Sequence, residues 1–148
     1  MNLRRVLSPA VIVAHLASDS KESVINELLA ILLATGKVKD EERARNALFE
    51  RERKMSTGME HGIAIPHGKT DAVDELVACI GVSRDGIDFE SLDGKPSHIF
   101  IMTLSPANRT GPHIQFLAEI SSLLRDADRR KKIRNAGSPE AILEAFVS

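Results

Sequence analysis

The side chains of this sequence that could do chemistry near neutral pH are its five histidines, at positions His15, His61, His67, His98 and His113. An imidazole titrates close to neutrality, so a neutral ring nitrogen is available at pH 7 as a nucleophile or as a hydrogen-bond partner. The one cysteine, Cys79, lies in the apolar run 76–80, which is typical of a small buried hydrophobe. The histidines therefore carry the functional hypotheses.

His67 lies between Pro66 and Gly68. The proline makes the turn rigid, and the glycine leaves bare backbone beside the ring, so an anion or another protein surface can approach closely. The apolar stretch 62–68 predicts a short strand that stops at Pro66. We therefore expect His67 at the mouth of a loop.

His113 lies in the first turn of a helix that the pattern predicts to begin at Pro112, where the missing N–H of a proline is harmless. Backbone N–H groups at a helix start favour negative charge. A nucleophilic imidazole that faces a second imidazole and a helix start would suit a phosphoryl group, because phosphoryl transfer needs in-line positioning and donors for the oxygens. Spacing alone leaves open that the two histidines are unrelated polar residues.

The remaining histidines have weaker claims to a chemical role. His15 lies in an apolar stretch, which favours packing or a surface position. His98 begins a predicted strand and is interpreted as structural. His61 lies in a glycine-rich segment, where we expect a loop near the site and not a direct role.

The elements that must position these side chains follow from periodicity and capping signals. Apolar residues at helical spacing predict one helix over 19–36, capped by Asp19, and a second over 40–53 with Ala44, Ala47, Leu48 and Arg51 on one face. Besides the short strand within 62–68, two longer strands are predicted, Leu76–Ser83 and His98–Leu104. Turns are predicted at Asp85-Gly86 and Asp93-Gly94.

Three further helices are predicted after the strands. The helix from Pro112 is expected to bury one face, formed by Ile114, Leu117, Ile120, Ser121 and Leu124. A basic helix spans Arg129–Asn135, and the last helix begins at Pro139 with Ser138 as its cap. Two helices, a block of strands and three helices predict an α/β or α+β domain, with helices packed around a sheet.

The composition excludes several classes of protein. Apolar residues make up 43% and charged residues 28% of 148 residues, and the net charge is -1, so neither a nucleic-acid footprint nor a basic membrane-binding surface is indicated. No apolar run approaches the ~20 residues that span a bilayer, and Arg4 and Arg5 are not followed by the apolar stretch of a signal peptide. We expect one domain over residues 1–148, a cytoplasmic location and no cofactor.

Four segments together resemble one known family. The longest is Ser56-Thr57-Gly58-Met59-Glu60-His61-Gly62-Ile63-Ala64-Ile65-Pro66-His67-Gly68, and the others span 50–52, 87–96 and 111–121. The first is similar to the active-site signature of the fructose/mannitol-type enzyme IIA family of the phosphotransferase system, which includes the nitrogen-regulatory IIA proteins. The segment 111–121 resembles the family's second-histidine helix, and 50–52 matches the segment that carries its active-site arginine.

The resemblance implies a fold and a chemistry. It implies a mixed β-sheet flanked by helices on both sides, with His67 phosphorylated, His113 assisting it and Arg51 nearby to stabilise charge. It also implies a histidine phosphocarrier protein as donor and a cysteine of an enzyme IIB as acceptor. A different possibility is a nitrogen or metabolic regulatory module whose phosphorylation state controls the binding of a target protein without onward transfer.

A zinc site is also compatible with the residue types. His61, His67 and His113 could hold zinc with one open position, although no short-spaced pair of ligands on a helix supports such a site. Arg51 could likewise be a solvated surface arginine. A triad hydrolase is disfavoured, because no serine lies in a nucleophile-elbow context.

Overall fold

A five-stranded sheet occupies the centre of the computed structural model, which describes residues 1–148. The strands are β1 (Ile12–Val13), β2 (Ile63–Ala64), β3 (His67–Lys69), β4 (Val77–Ile87) and β5 (Ser97–Ser105). The long strands β4 and β5 pair antiparallel, while β1 runs parallel to β4, and β2 and β3 both run parallel to β5. The mixed sheet confirms the expected class of fold.

Five α-helices surround this sheet. They are α1 (Lys21–Ala34), α2 (Glu41–Lys54), α3 (Thr110–Leu123), α4 (Ala127–Asn135) and α5 (Pro139–Val147), and two short 3-10 helices precede β1 at Leu3–Arg5 and Pro9–Val11. The order of two helices, strands and three helices agrees with the prediction, except that β1 comes before α1. A strand of two residues is too short to leave a periodic pattern in the sequence.

The pleat of the sheet separates the helices into two layers. Cys79 of β4 is fully buried and its Sγ lies 3.5 Å from the carbonyl oxygen of Leu28 in α1. Gly68 of β3 faces α2, and Thr103 of β5 has the opposite parity and contacts α3. Helices therefore cover both faces, as predicted, and the core lies between each layer and the sheet.

The helix caps follow the sequence signals with one correction. Ser138 caps α5 as predicted, and Asp40, near which the second helix was predicted to begin, is the N-cap of α2. The N-cap of α1 is Ser20 and not Asp19. The hydroxyl groups of Ser20 and Ser23 each accept from the other's backbone N–H, so this reciprocal box places the helix start one residue later.

One strand prediction and one turn prediction were wrong in detail. The segment 62–68 forms two strands, because Pro66 has no N–H for the ladder. His67 therefore begins β3 and does not lie at a loop mouth. Asp85-Gly86 is not a turn but an irregularity inside β4, where Gly86 has a φ of +86°, whereas the turn at Asp93-Gly94 is confirmed.

The predicted face of α3 was wrong in part, since Ile120 and Leu124 are buried but Ile114 is not. The helix begins at Thr110, two residues before Pro112, since a proline is tolerated throughout the first turn. Its inner face is formed by His113, Phe116 and Ile120, and Ile114 is 64% exposed. The polar residue His113 thus faces the core, where the apolar pattern had predicted its neighbour Ile114.

Candidate active site

His67 is held by the backbone around it. It pairs with Thr103 in the parallel β3–β5 ladder, and the Thr103 N–H donates to the carbonyl oxygen of Pro66 at 3.1 Å. Its Nδ1 lies 2.8 Å from the carbonyl oxygen of Ile65. A carbonyl oxygen only accepts, so Nδ1 carries the proton and Nε2 keeps its lone pair. The half-buried ring is thereby fixed in the tautomer whose outer nitrogen is nucleophilic.

The electrostatic surroundings keep this ring neutral. Burial lowers the pKa of His67 below 6.5, and the hydrogen bond to Ile65 opposes that shift. The charges of Arg51 and Lys69 lower the pKa further, while Glu52 raises it. At pH 7 the Nε2 lone pair is therefore available.

His113 lies beside His67. The ring centroids are 5.5 Å apart and the planes are inclined by 49°. His113 is only 4% exposed, and its Nε2 lies 2.9 Å from the Thr103 hydroxyl group. Burial, then the neighbouring His67, then Lys69 lower the pKa of His113 to about 4. His113 is therefore neutral at pH 7 and carries one N–H.

Thr103 links the two rings, and sequence reasoning missed it. Its backbone pairs with His67 while its fully buried side chain contacts His113. The hydroxyl group is within hydrogen-bond distance of one ring nitrogen of His113, so it influences which nitrogen holds the single proton. Only the register of β3 against β5 reveals this role, and nothing in a threonine within an apolar strand indicates it.

Two cations border the pair of rings. Arg51 is half-buried near the end of α2, where its Nη1 donates to the carbonyl oxygen of Met55 at 2.8 Å. Lys69 is exposed, two residues after His67. Lys69 was also missed, although its spacing from His67 along a strand places both side chains on one face of the sheet.

Gly68 brings α2 close to the site. A Cβ at this position would lie 3.1 Å from the carbonyl carbon and the Cβ of Ala47. The bare backbone therefore allows α2 to pack directly onto β3, and Arg51 comes near enough to His67 for its charge to affect the ring. This close approach, and not a loop conformation, explains the glycine after the histidine.

Glu52 is a buried carboxylate behind the site. It is 6% exposed and accepts hydrogen bonds from the Thr57 N–H at 2.8 Å and the Thr57 hydroxyl group at 2.6 Å. Lys21 of α1 pairs with it at 3.0 Å. These contacts anchor the segment after α2. A glutamate four residues after Leu48 continues the buried face of α2, so helical periodicity could have identified it.

The other three histidines lie apart from this pair. His61 is exposed with a φ of +64° in the loop before β2, and His15 is exposed as well. The Nδ1 of His98 lies 2.9 Å from the Ser83 carbonyl oxygen, which confirms a structural position at the start of β5. No three histidine, cysteine or acidic side chains are grouped as metal ligands, so His61 does not complete the three-histidine arrangement.

The arrangement suits the transfer of an anionic group. A neutral ring with a free Nε2 lies beside a second neutral ring. The charge of Arg51 acts on the first ring, and the charge of Lys69 acts on both. Positive charge on either ring is disfavoured, whereas a dianion would be stabilised by the cations and by the ring N–H of His113. None of the helices is long and apolar enough to span a bilayer.

Comparison with known proteins is consistent with this chemistry. The family model "Phosphoenolpyruvate-dependent sugar phosphotransferase system, EIIA 2" matches residues 5–148. The chain is 39% identical over 127 residues to the fructose-specific EIIA component of Haloferax volcanii, and the alignment covers 86% of this chain and 82% of that protein. It is 33% identical over 143 residues to a nitrogen regulatory protein of Bradyrhizobium diazoefficiens, covering 96% and 92%.

Longer relatives and solved structures give the same result. The chain is 36% identical over 144 residues to the fructose-specific EIIABC component of Bacillus subtilis, covering 97% of this chain but only 23% of that protein. The crystal structure of the nitrogen regulatory protein IIA-Ntr from Neisseria meningitidis superposes with a TM-score of 0.91 at 25% identity and covers 99% of this chain and all of that one. The chain thus belongs to the EIIA type 2 family of the phosphoenolpyruvate-dependent phosphotransferase system, whose members are phosphotransferase components.

Proposed function

We propose that His67 accepts a phosphoryl group on Nε2 from a histidine phosphocarrier protein and passes it to a cysteine of an enzyme IIB. The observation that carries this proposal is the 2.8 Å contact between Nδ1 of His67 and the Ile65 carbonyl oxygen. This contact keeps the proton on Nδ1 and leaves the lone pair on the outer nitrogen.

The proposed steps conserve atoms and charge. In the first step the Nε2 lone pair forms a P–N bond while the P–N bond of the donor phosphohistidine breaks, and the donor nitrogen keeps the electron pair. In the second step a cysteine thiolate of the acceptor forms an S–P bond, and the P–N bond to Nε2 breaks. The proton stays on Nδ1 throughout, hydrogen-bonded to the Ile65 carbonyl oxygen, so the two steps need no further proton donor or acceptor.

His113 and the two cations act on the charge of the transferring group. His113 is neutral and holds one N–H that can donate to a phosphoryl oxygen. Arg51 and Lys69 place positive charge beside the rings. Groups that meet charge in the transition state more strongly than in the resting site speed the transfer. Arg51 in particular offers a planar fork that fits phosphate oxygens.

The experiment is a complete phosphorylation mixture of enzyme I, histidine phosphocarrier protein, phosphoenolpyruvate and this protein, followed by intact mass measurement. The proposal predicts one added phosphoryl group on the wild type and none on His67→Ala. His15→Ala is the matched control, because His15 is an exposed histidine away from the pair. A His67→Ala variant that folds and still gains the phosphoryl group would overturn the proposal.

A second candidate is a regulatory role, in which phosphorylated His67 changes the binding of a target protein without onward transfer. It is favoured by the nitrogen regulatory relatives, which match along nearly their whole length. Addition of an enzyme IIB to the phosphorylated protein separates the two roles. Loss of phosphate from His67 with gain on the IIB cysteine supports the relay, and retention of phosphate on His67 supports the regulatory role.

A further inference from the structure

A separate cavity lies between the N-terminal segment, β4 and the start of α3. Its volume is about 580 Å³, and neither His67 nor His113 lines it. This volume is within the range of sites that bind small organic molecules. It is therefore a candidate site independent of the histidine pair.

The floor of the cavity is apolar. Leu7 and Val11 contribute from the N-terminal segment, Val77 and Ala78 from β4, and Pro106 from the loop after β5. All five residues are buried in the fold. A carbon skeleton placed against this floor would be removed from water, which is favourable in proportion to the apolar area covered.

The rim of the cavity is strongly cationic, although the whole chain has a net charge of -1. Four basic side chains line it, Arg4, Arg5, Lys37 and Arg109, against the single carboxylate of Glu75. An excess of one sign of charge around a cavity with apolar walls raises the local concentration of ions of the opposite sign. The rim therefore favours an anion.

Two of the four cations have no partner within the protein. Arg4 pairs with Glu144 at 3.0 Å, and Lys37 pairs with Glu75 at 3.4 Å. The guanidinium groups of Arg5 and Arg109 donate no hydrogen bond and form no ion pair, and Arg5 lies at the end of a 3-10 helix while Arg109 precedes α3. Each retains its full set of donors for a planar anionic group.

We propose that this cavity binds a small organic anion, a phosphate or carboxylate carried on a short carbon skeleton. Arg5 and Arg109 hold the anionic group through their guanidinium forks, and the apolar floor around Leu7 and Val77 holds the carbon part. Inorganic phosphate alone would use only half of the site.

The test is a titration of the full chain with hexyl phosphate, followed through the amide resonances of Leu7 and Val77. Parallel titrations use hexanoate and inorganic phosphate. We expect saturable shifts with hexyl phosphate or hexanoate, and the tighter of the two identifies the anionic group. Arg5→Gln and Arg109→Gln should each weaken binding about tenfold.

Arg134→Gln is the matched control, since it removes the same charge from an exposed position on α4. Arg5 and Arg109 are exposed as well, so all three variants should keep the melting temperature of the wild type. The proposal is wrong if no probe gives saturable shifts, if inorganic phosphate binds as tightly as both organic probes, or if Arg134→Gln weakens binding as much as the other two changes.

Discussion

Replacement of His113 by alanine separates a chemical role for this ring from a merely structural one. The ring is 4% exposed, its centroid lies 5.5 Å from that of His67, and its Nε2 lies 2.9 Å from the Thr103 hydroxyl group. The substitution removes one buried hydrogen bond, worth about 1 kcal/mol, and the packing of a ring, worth roughly 2 kcal/mol. A loss of about 3 kcal/mol should lower the melting temperature by roughly 10 °C.

His113→Ala should also slow phosphoryl transfer, and by more than its loss of folding stability explains. If His113 donates to the transferring group, the rate of phosphoryl transfer to His67 falls on the order of a hundredfold, which corresponds to about 2.7 kcal/mol of transition-state stabilisation. His113→Gln should recover part of the rate, because its amide is also a donor.

The assay is the initial rate of phosphorylation by the phosphorylated histidine phosphocarrier protein, measured well below the melting temperature of every variant. Thr103→Val is the companion variant, because it keeps the shape of the side chain and the ring of His113 but removes their hydrogen bond. We expect it to slow transfer about tenfold. Wild-type rates in both folded variants would refute the role given to His113.

Three further predictions rest on the same geometry. Arg51→Gln should raise the pKa of His67, which NMR titration measures, and should slow phosphoryl transfer about tenfold. Arg53→Gln, which changes an exposed neighbour on α2, should alter neither quantity, and equal behaviour of the two variants would favour a solvated surface role for Arg51. Because burial lowers the pKa of His67 below 6.5, its phosphorylation rate should stay constant from alkaline pH down to 6.5 and decline only below that value; a decline that begins above pH 7 would contradict the assigned tautomer and burial. Since the pKa of His113 falls from 6.5 to about 4 on folding, the unfolded chain binds more protons at this residue between these values. The contribution of His113 to the free energy of unfolding should therefore be constant above pH 6.5 and fall by up to about 3 kcal/mol towards pH 4. Denaturant unfolding of His113→Gln should show this part of the pH dependence removed and should keep the part that the lowered pKa of His67 contributes.

Much of the fold could be predicted because local signals were strong. The helix-start signals near Asp40 and at Ser138, together with the long apolar strands, indicated the order and type of the main elements. The errors arose where tertiary contacts override local pattern. His113 occupies an inward position of α3 because Thr103 provides a polar partner in the core, and no apolar pattern can show that.

The candidate site, like the fold, could be predicted only in part from the sequence. His67 stands out in the sequence because Pro66 and Gly68 flank it, and the structure places it beside His113 and near Arg51. The contributions of Thr103 and Lys69 depend on strand register and shared face, so they emerge only when β3 is aligned with β5. Short strands leave too few residues for that alignment to be read from the sequence.

The most direct test of the central claim is the position of the phosphoryl group on His67. Long-range 1H–15N correlation of the imidazole in the enzymatically phosphorylated, 15N-labelled protein identifies which ring nitrogen carries phosphorus. We expect phosphorylation of His67 on Nε2, with Nδ1 still protonated against the Ile65 carbonyl oxygen. Phosphorylation on Nδ1, on another histidine, or on no histidine at all would contradict this assignment.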